Sequence, residues 1–370
     1  MNATCSDGGL RAAVALAAKA AAKGSSLPIL GCVRLEATPD GVAVDGQDLE
    51  TCHVRVLINA EVAETGAAVV NASVLSEVVG ALKGDIILGS ADAGGLRVVA
   101  DDAQYVICGQ PVDEWPQPKA DNVVLGRAEL DGGLLASALD RVLYAVSDDY
   151  IRPILQGVSM VIGDGTLTAV ATDTYRLAMT YCRVDGDGAA TALVPGRALA
   201  ELRRALRPDE LVRIAVSARD VVFDLNNGVV VLRARQIEGE FPKWERMVVD
   251  IAAKRVGTVE LHRAALADAI RFVRVIARDD AHRVAYHVED GRIYLRAVSP
   301  DLGTAATSMP VVTQQGQAPH GAFNAAYLLQ TLAYGADVVE ITYASAFDAL
   351  VIRDVNSLDN VCLLMPMQVV

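Results

Sequence analysis

The stretch Leu27-Pro28-Ile29-Leu30-Gly31-Cys32-Val33 returns 125 residues later as Arg152-Pro153-Ile154-Leu155-Gln156-Gly157-Val158, with a weaker third copy at Ala281-His282-Arg283-Val284-Ala285-Tyr286. A second landmark, Val69 to Val79, recurs as Leu193 to Arg203 and again as Gly321 to Leu329. Glu114-Trp115-Pro116, Glu240-Phe241-Pro242 and Leu364-Met365-Pro366 form a third, closing each copy. Near-constant offsets between unrelated landmarks are the mark of an internal repeat, so the chain is read as three units of one kind.

Each unit opens with an amphipathic helical pattern: Leu10 to Lys23, Leu130 to Tyr144 and His262 to Arg278. Alternating or β-branched runs follow, punctuated by Pro39-Asp40-Gly41, Gly163-Asp164-Gly165 and Asp290-Gly291, residue pairs that accept the backbone angles of tight hairpins. A second helix comes mid-unit, with Asn71, Pro195 and Asn324 at or near its start, where caps and first-turn prolines belong. The expected fold is α+β: three repeated domains at 1–121, 122–250 and 251–370, each with two helices packed on antiparallel sheets.

Composition sets the function classes. The 370 residues are 52% hydrophobic, too many for one ordinary domain of about 100–200 residues. The start lacks a secretory signal's basic residues and leucine-rich core, and no apolar run reaches the roughly 18–20 residues of a membrane span. A cytoplasmic protein with no membrane association is expected. Six scattered cysteines without metal-ligand spacing read as reduced thiols.

A net charge of −13 argues against a nucleic-acid partner until its distribution is considered. Helical spacing puts Arg11, Lys19 and Lys23 within about 120° of arc, Arg197, Arg203, Arg204 and Arg207 within about 120°, and Arg263, Arg271, Arg274 and Arg278 within about 80°. The six expected helices carry thirteen basic and five acidic residues, a net +8, so the remainder carries −21. This segregation suits sequence-independent contact with phosphates, and no base-reading pattern accompanies it.

No nucleotide, zinc or nucleophile-elbow motif is present. Asp185-Gly186-Asp187-Gly188 resembles the start of a calcium loop but lacks its twelfth-position glutamate. The pairs Asp148-Asp149 and Asp279-Asp280 follow opening helices at equivalent points and read as structural loops, His262 as a surface or capping residue. No catalytic residue, metal or cofactor is expected.

The chain resembles the bacterial DNA polymerase III beta subunit family of sliding clamps along its whole length. Leu27-Pro28-Ile29-Leu30, Ala171-Thr172-Asp173-Thr174-Tyr175-Arg176-Leu177-Ala178, Gly239-Glu240-Phe241-Pro242, Phe323-Asn324 and Leu364-Met365-Pro366-Met367 carry the resemblance. It implies a non-enzymatic processivity factor, a head-to-tail homodimer closed around double-stranded DNA and loaded by a clamp loader. It also implies a hydrophobic pocket for linear peptides of the polymerase III alpha subunit, other polymerases and repair proteins. Carried over by motif, the pocket comprises Leu155, Thr172, Thr174, Tyr175, Arg176, Leu177, Pro242, Met247, Asn324, Tyr327, Phe347, Leu363, Met365, Pro366 and Met367. This sequence departs from the family pattern at Thr174, where glycine is usual, at Tyr175, a histidine-like position, and after Met367, where a basic residue is common. Gly24 and Ser73 replace basic residues, which shifts expected DNA contact toward Arg197, Arg203, Arg204, Arg271 and Arg274. The alternative reading is a clamp-like paralogue, a scaffold that sequesters partners or clamp-directed inhibitors.

Overall fold

The computed structural model describes residues 1–22, 24–118, 123–278, 281–355 and 359–368. It contains helices α1 (Asp7–Ala20), α2 (Ala72–Ala81), α3 (Gly132–Val142), α4 (Gly196–Ala205), α5 (Trp244–Ala253), α6 (Arg263–Ala277) and α7 (Ala325–Thr331) among many antiparallel strands. The α+β build expected from the repeat, helices packed on antiparallel sheets, is the one observed.

Local chemistry places the helix starts. Ser6 Oγ accepts the Gly9 amide at 3.3 Å before α1. Asn71 Oδ1 accepts the amides of Ser73 and Val74 before α2, and Asn324 Oδ1 those of Ala326 and Tyr327 before α7. Pro195 caps α4 without a side-chain bond. The three glycine turns join adjacent strands as expected, with Asp164 and Gly165 at φ 51° and 69° and Asp290 and Gly291 at 48° and 71°.

By contact density the chain divides into two compact units. The first contains Met1–Ala136, Val161–Leu167 and Arg183–Ile237. Its α1 lays Leu10, Ala13, Val14, Ala17 and Ala20 onto the strands Gly41–Gln47 and Cys52–Ile58. Alanine permits a close approach: a Cβ on Gly46 would lie 1.9 Å from the Ala17 carbonyl oxygen. Strand Val230–Arg235 of the second repeat pairs with Cys52–Ile58 of the first, Val230 opposite Val56 and Ala234 opposite Cys52. A nine-stranded sheet thus runs across the repeat boundary, while a five-stranded sheet ends in the edge strand Ala103–Ile107.

The second unit contains Ser137–Met160, Thr168–Cys182 and Glu238–Val370. The same junction is repeated there: strand Arg176–Arg183 pairs with Asn360–Leu364, Arg176 opposite Leu364 and Thr180 opposite Asn360. Helix α6 buries Leu266, Ala267, Ile270, Val273 and Ala277 against a four-stranded sheet whose edge is Gly303–Pro310. Phe272 is 60% exposed, because it lies about 100° or more around the helix from the buried Leu266–Ile270–Val273 stripe.

Helix α5 was not expected from sequence. It follows Pro242 and turns Trp244, Val248 and Ile251, spaced four and three apart, onto a cluster of Val170, Leu177, Met179, Val351, Val361 and Leu363. The calcium-like run Asp185–Gly188 is instead a strand paired with Gly126 to Glu129. All six cysteines are free, and burial pushes the thiols of Cys5 and Cys182 up to about 11 and that of Cys52 to about 12. Among the described residues no helix is long and apolar enough to cross a membrane.

Candidate nucleic-acid interface and peptide site

Two surfaces were expected, a set of cationic helix faces and an apolar pocket. On the helices the arginines divide into two kinds. Arg11 Nη2 donates to the Leu82 carbonyl at 2.9 Å, and Arg263 donates to the Leu332 and Ala336 carbonyls at 2.8 and 2.9 Å. Leu82 and Leu332 are the C-caps of α2 and α7, so each guanidinium serves a helix end whose last carbonyls lack intrahelical donors. Arg197 likewise donates to the Lys19 carbonyl, near the end of α1, and stands 3.6 Å from Asp48. These three are tied to neighbouring helix ends, Arg11 and Arg197 with about half of each side chain still in solvent, a role that the helical wheel does not reveal.

The others face outward. Lys19, Arg204, Arg271, Arg274 and Arg278 are exposed, and Arg203 is half-buried. Arg204 pairs with the buried carboxylate of Glu201 and Arg271 with the exposed Asp268 at 2.6 Å, contacts one helical turn apart that leave most of each arginine in solvent. The exposed Arg271–Asp268 pair is worth only about 0–1 kcal/mol and yields to a stronger anion. Arg274 and Arg278 have no ion pair among the described residues. Arg207 requires a correction: α4 ends at Ala205 with Leu206 extended, so Arg207 lies beyond the helix, its amide bonded to Glu210. Lys23 and the pair Asp279-Asp280 lie outside the described residues. Asp149 is structural: its carboxylate accepts the Ile151 amide and Arg152 Nε, which holds it below the usual carboxylate range.

The residues expected to form the pocket all belong to the second unit. After Thr172 the chain makes a tight turn organised by one carboxylate. Asp173 Oδ1 accepts the amides of Tyr175 and Arg176 at 2.9 Å each, and Oδ2 accepts Arg176 Nε at 3.0 Å. Thr172 Oγ1 accepts the Thr174 amide and donates to the Arg176 carbonyl at 2.7 Å. Thr174 consequently sits at φ +78°, which explains why glycine suits this position. Thr174→Gly is expected to stabilise the turn by about 1 kcal/mol net, the relief of left-handed strain exceeding the added chain entropy. Slower hydrogen exchange at the Tyr175 and Arg176 amides would register it; unchanged exchange would show that the turn stores no strain.

The turn sends consecutive side chains opposite ways. Tyr175 points outward, 60% exposed, with its ring centroid 6.3 Å from that of Tyr327. Arg176 points inward, 7% exposed, stacked between the rings of Tyr327 at 4.3 Å and Tyr144 at 5.2 Å. Its remaining donors reach Gln330 Oε1 and the Tyr144 carbonyl. The C-terminal segment closes over this centre: the Met365 amide donates to the Tyr175 carbonyl and the Met367 amide to the Ala322 carbonyl.

The expected pocket residues therefore play two parts. Leu155, Thr172, Arg176, Leu177 and Leu363 are buried and form the frame of the site. Side-chain surface comes from Tyr175, Met365 and the half-buried Tyr327, Pro366 and Met367. Pro242 is half-buried beyond Gly239, where an added Cβ would fall 2.7 Å from Ile154 Cγ2. Met247 projects from α5 at 44% exposure, and Phe347 stands 88% exposed on a turn held by Ser345 and by Lys254 bonding Asp348. Asn324 caps α7 and donates to the Ala281 carbonyl. Asp173, Tyr144 and Gln330 were missed. Asp173 lies inside the family motif, but no sequence pattern marks the other two as partners of Arg176.

An α+β repeat fold with cationic helix faces and an apolar surface framed by a buried arginine defines the sliding-clamp class. Models of the DNA polymerase III beta subunit match its N-terminal domain at residues 1–119, its central domain at 129–243 and its C-terminal domain at 251–368. The chain is 28% identical over 339 residues to a beta sliding clamp homolog, GriR, of Streptomyces muensis, covering 90% of this chain and 88% of that protein. It is 25% identical over 352 residues to the beta sliding clamp of Halalkalibacterium halodurans, covering 90% of each. In fold it resembles the DNA polymerase sliding clamp of Bacillus subtilis, with a TM-score of 0.92 at 22% identity over 100% of both chains. A sliding clamp of Pseudomonas aeruginosa bound to griselimycin gives the same TM-score, identity and coverage. The protein belongs to the DNA polymerase III beta subunit family, the bacterial beta sliding clamps.

Proposed function

We propose that the protein is a processivity clamp: two copies close head to tail around duplex DNA and tether polymerases and repair proteins through the Tyr175–Tyr327–Met365 surface. The domains act as 1–121, 122–250 and 251–370. No catalysis, metal or cofactor is involved, and the protein works in the cytoplasm, loaded by a separate clamp loader and recruiting the polymerase III alpha subunit among others.

One observation carries this reading. The first repeat joins the second through strands Cys52–Ile58 and Val230–Arg235, and the second joins the third through Arg176–Arg183 and Asn360–Leu364. A third junction of the same kind would use Gly303–Pro310 from the third repeat and Ala103–Ile107 from the first. Both are sheet edges. Unpaired edges are normally blunted by charge or covered, yet Tyr105 and Val106 on one, and Phe272 and Val275 on the helix packed behind the other, are exposed apolar residues. Two different edges that complement each other make a heterologous contact, which closes into a ring if its rotation completes a circle.

Native mass should be about 78 kDa, twice the chain's 39.0 kDa. Loaded protein should stay on a closed DNA circle and run off once the circle is cut. A stable monomer, or equal retention on linear and circular DNA, overturns the ring. The alternative of a sequestering paralogue is favoured only by the likeness to a clamp homolog rather than a clamp. Under that alternative, charge reversal at Arg204, Arg271 and Arg274 leaves partner binding and DNA retention equally unchanged.

A further inference from the structure

The turn that frames the peptide surface has a counterpart in the first unit. Gln47-Asp48-Leu49-Glu50-Thr51-Cys52 stands 125 residues before Thr172-Asp173-Thr174-Tyr175-Arg176-Leu177. Asp48 Oδ1 accepts the amides of Glu50, Thr51 and Cys52 at 3.2, 2.7 and 3.0 Å, as Asp173 does in its own turn. Leu49 adopts φ +65°, matching Thr174 at +78°. The adjoining strand bonds back onto the turn through the Arg235 amide and the Thr51 carbonyl at 2.9 Å, and Pro116 corresponds to Pro242 in the repeat. A groove here is lined by Leu49, Thr51 and His53, by Pro116 to Pro118, and by arginines of the second repeat.

The lining chemistry differs from that of the second unit. Arg219, Arg233 and Arg235 stand around the groove. Arg233 is 3.5 Å from Asp220, and His53 bonds Asp45 at 3.2 Å. Arg219 and Arg235 are exposed and have no side-chain hydrogen bond or ion pair among the described residues. Two exposed guanidinium groups, neither held in an ion pair among the described residues, thus line a groove in a chain of net charge −13. Exposed Leu49 and the prolines give apolar purchase between them.

We propose that this groove is a second docking site, and that its occupant is an acidic linear peptide segment carrying an apolar residue beside its carboxylates. Arg forks match carboxylates bidentately, and the prolines provide rigid walls for an extended chain. A polyphosphate backbone fits less well, because Asp48 and Asp220 interrupt the positive field and a row of evenly spaced cations is lacking. The proposal goes beyond the tethering function and stands on a different surface of the chain.

The test uses the full-length protein and a labelled nine-residue peptide containing five glutamates and two leucines. Saturable binding is expected, falling about tenfold or more with Arg219→Glu plus Arg235→Glu and weakening between low and high salt. Met365→Ala, on the other surface, should leave this binding intact. Melting of the double variant should match the parent, since both side chains are exposed; if it does not, Arg219→Gln plus Arg235→Gln carries the same test. Three results each overturn the proposal: equal binding of a lysine counterpart, binding that survives the double reversal, and loss of binding in Met365→Ala. Displacement of the peptide by short duplex DNA at lower concentration than by unlabelled peptide would assign the groove to nucleic acid instead. None of these outcomes bears on whether the protein forms a ring.

Discussion

Arg176→Ala should destabilise the second unit by about 3–5 kcal/mol and abolish peptide binding at the surface beside it. The size follows from what would be left behind. Asp173 would lose its Nε partner while remaining fixed by two amides, and Gln330 Oε1 and the Tyr144 carbonyl would each lose a buried donor. Each orphaned buried group costs about 1–3 kcal/mol. The rings of Tyr144 and Tyr327 would lose the cation between them, and the cavity would loosen the seat of Tyr327. Arg176→Lys keeps the charge but offers no planar fork, so it should recover only part of the loss. Tyr175→Ala is the control: at 60% exposure its removal should leave stability nearly unchanged while weakening peptide binding. Hydrogen exchange read separately over the two units distinguishes these outcomes, because the destabilisation should be confined to Ser137–Met160, Thr168–Cys182 and Glu238–Val370. A parent-like exchange pattern in Arg176→Ala would show that the buried guanidinium is not what holds this centre.

This dependence on one inward-turned arginine marks where sequence reading stops. The repeat was legible because a β-hairpin needs its glycine turn and a helix its cap at the same place in every copy. Asn71, Pro195 and Asn324 are found at the three caps accordingly. The buried faces of α1 and α4 were legible for the same reason, since a 3.6-residue period is local. What a long polar side chain touches is not local. Arg11, Arg197 and Arg263 share the helical spacing of Arg271 and Arg274, yet they end on carbonyls 71, 178 and 69 or more residues away. Helix α5 is a different case: its Trp244-Val248-Ile251 stripe was visible, but a closing Phe241-Pro242 immediately before it reads as the end of a unit. The ends of α1 and α4 also fell short of the apolar pattern, at Ala20 and Ala205, and that removes Arg207 from its helix.

If the proposed ring closes through the strand Ala103–Ile107, lysines introduced at Gln104 and Val106 should leave a folded monomer that slips from closed circular DNA. The two residues alternate on one face of the edge strand Ala103–Ile107, both exposed, with Val106 at 61%. Neither contributes to its own unit's core, so the isolated chain should melt as the parent chain does. In a ring, however, the strand becomes internal to a continuous sheet and its neighbours shed water. Two ammonium groups then have either to desolvate or to hold the edges apart, and charge along an edge is how natural sheets prevent such pairing. A penalty of about 3 kcal/mol or more weakens association at least a hundredfold. In the proposed ring retention on a circle is topological, so opening one of two junctions would be enough to lose it even with the arginine faces and the Tyr175 surface intact. Peptide binding should therefore persist in the variant while its lifetime on circular DNA falls to that on linear DNA. If the double-lysine protein remained a dimer near twice the chain mass, the strand Ala103–Ile107 would not be the closing edge, and the ring would have to close through another surface.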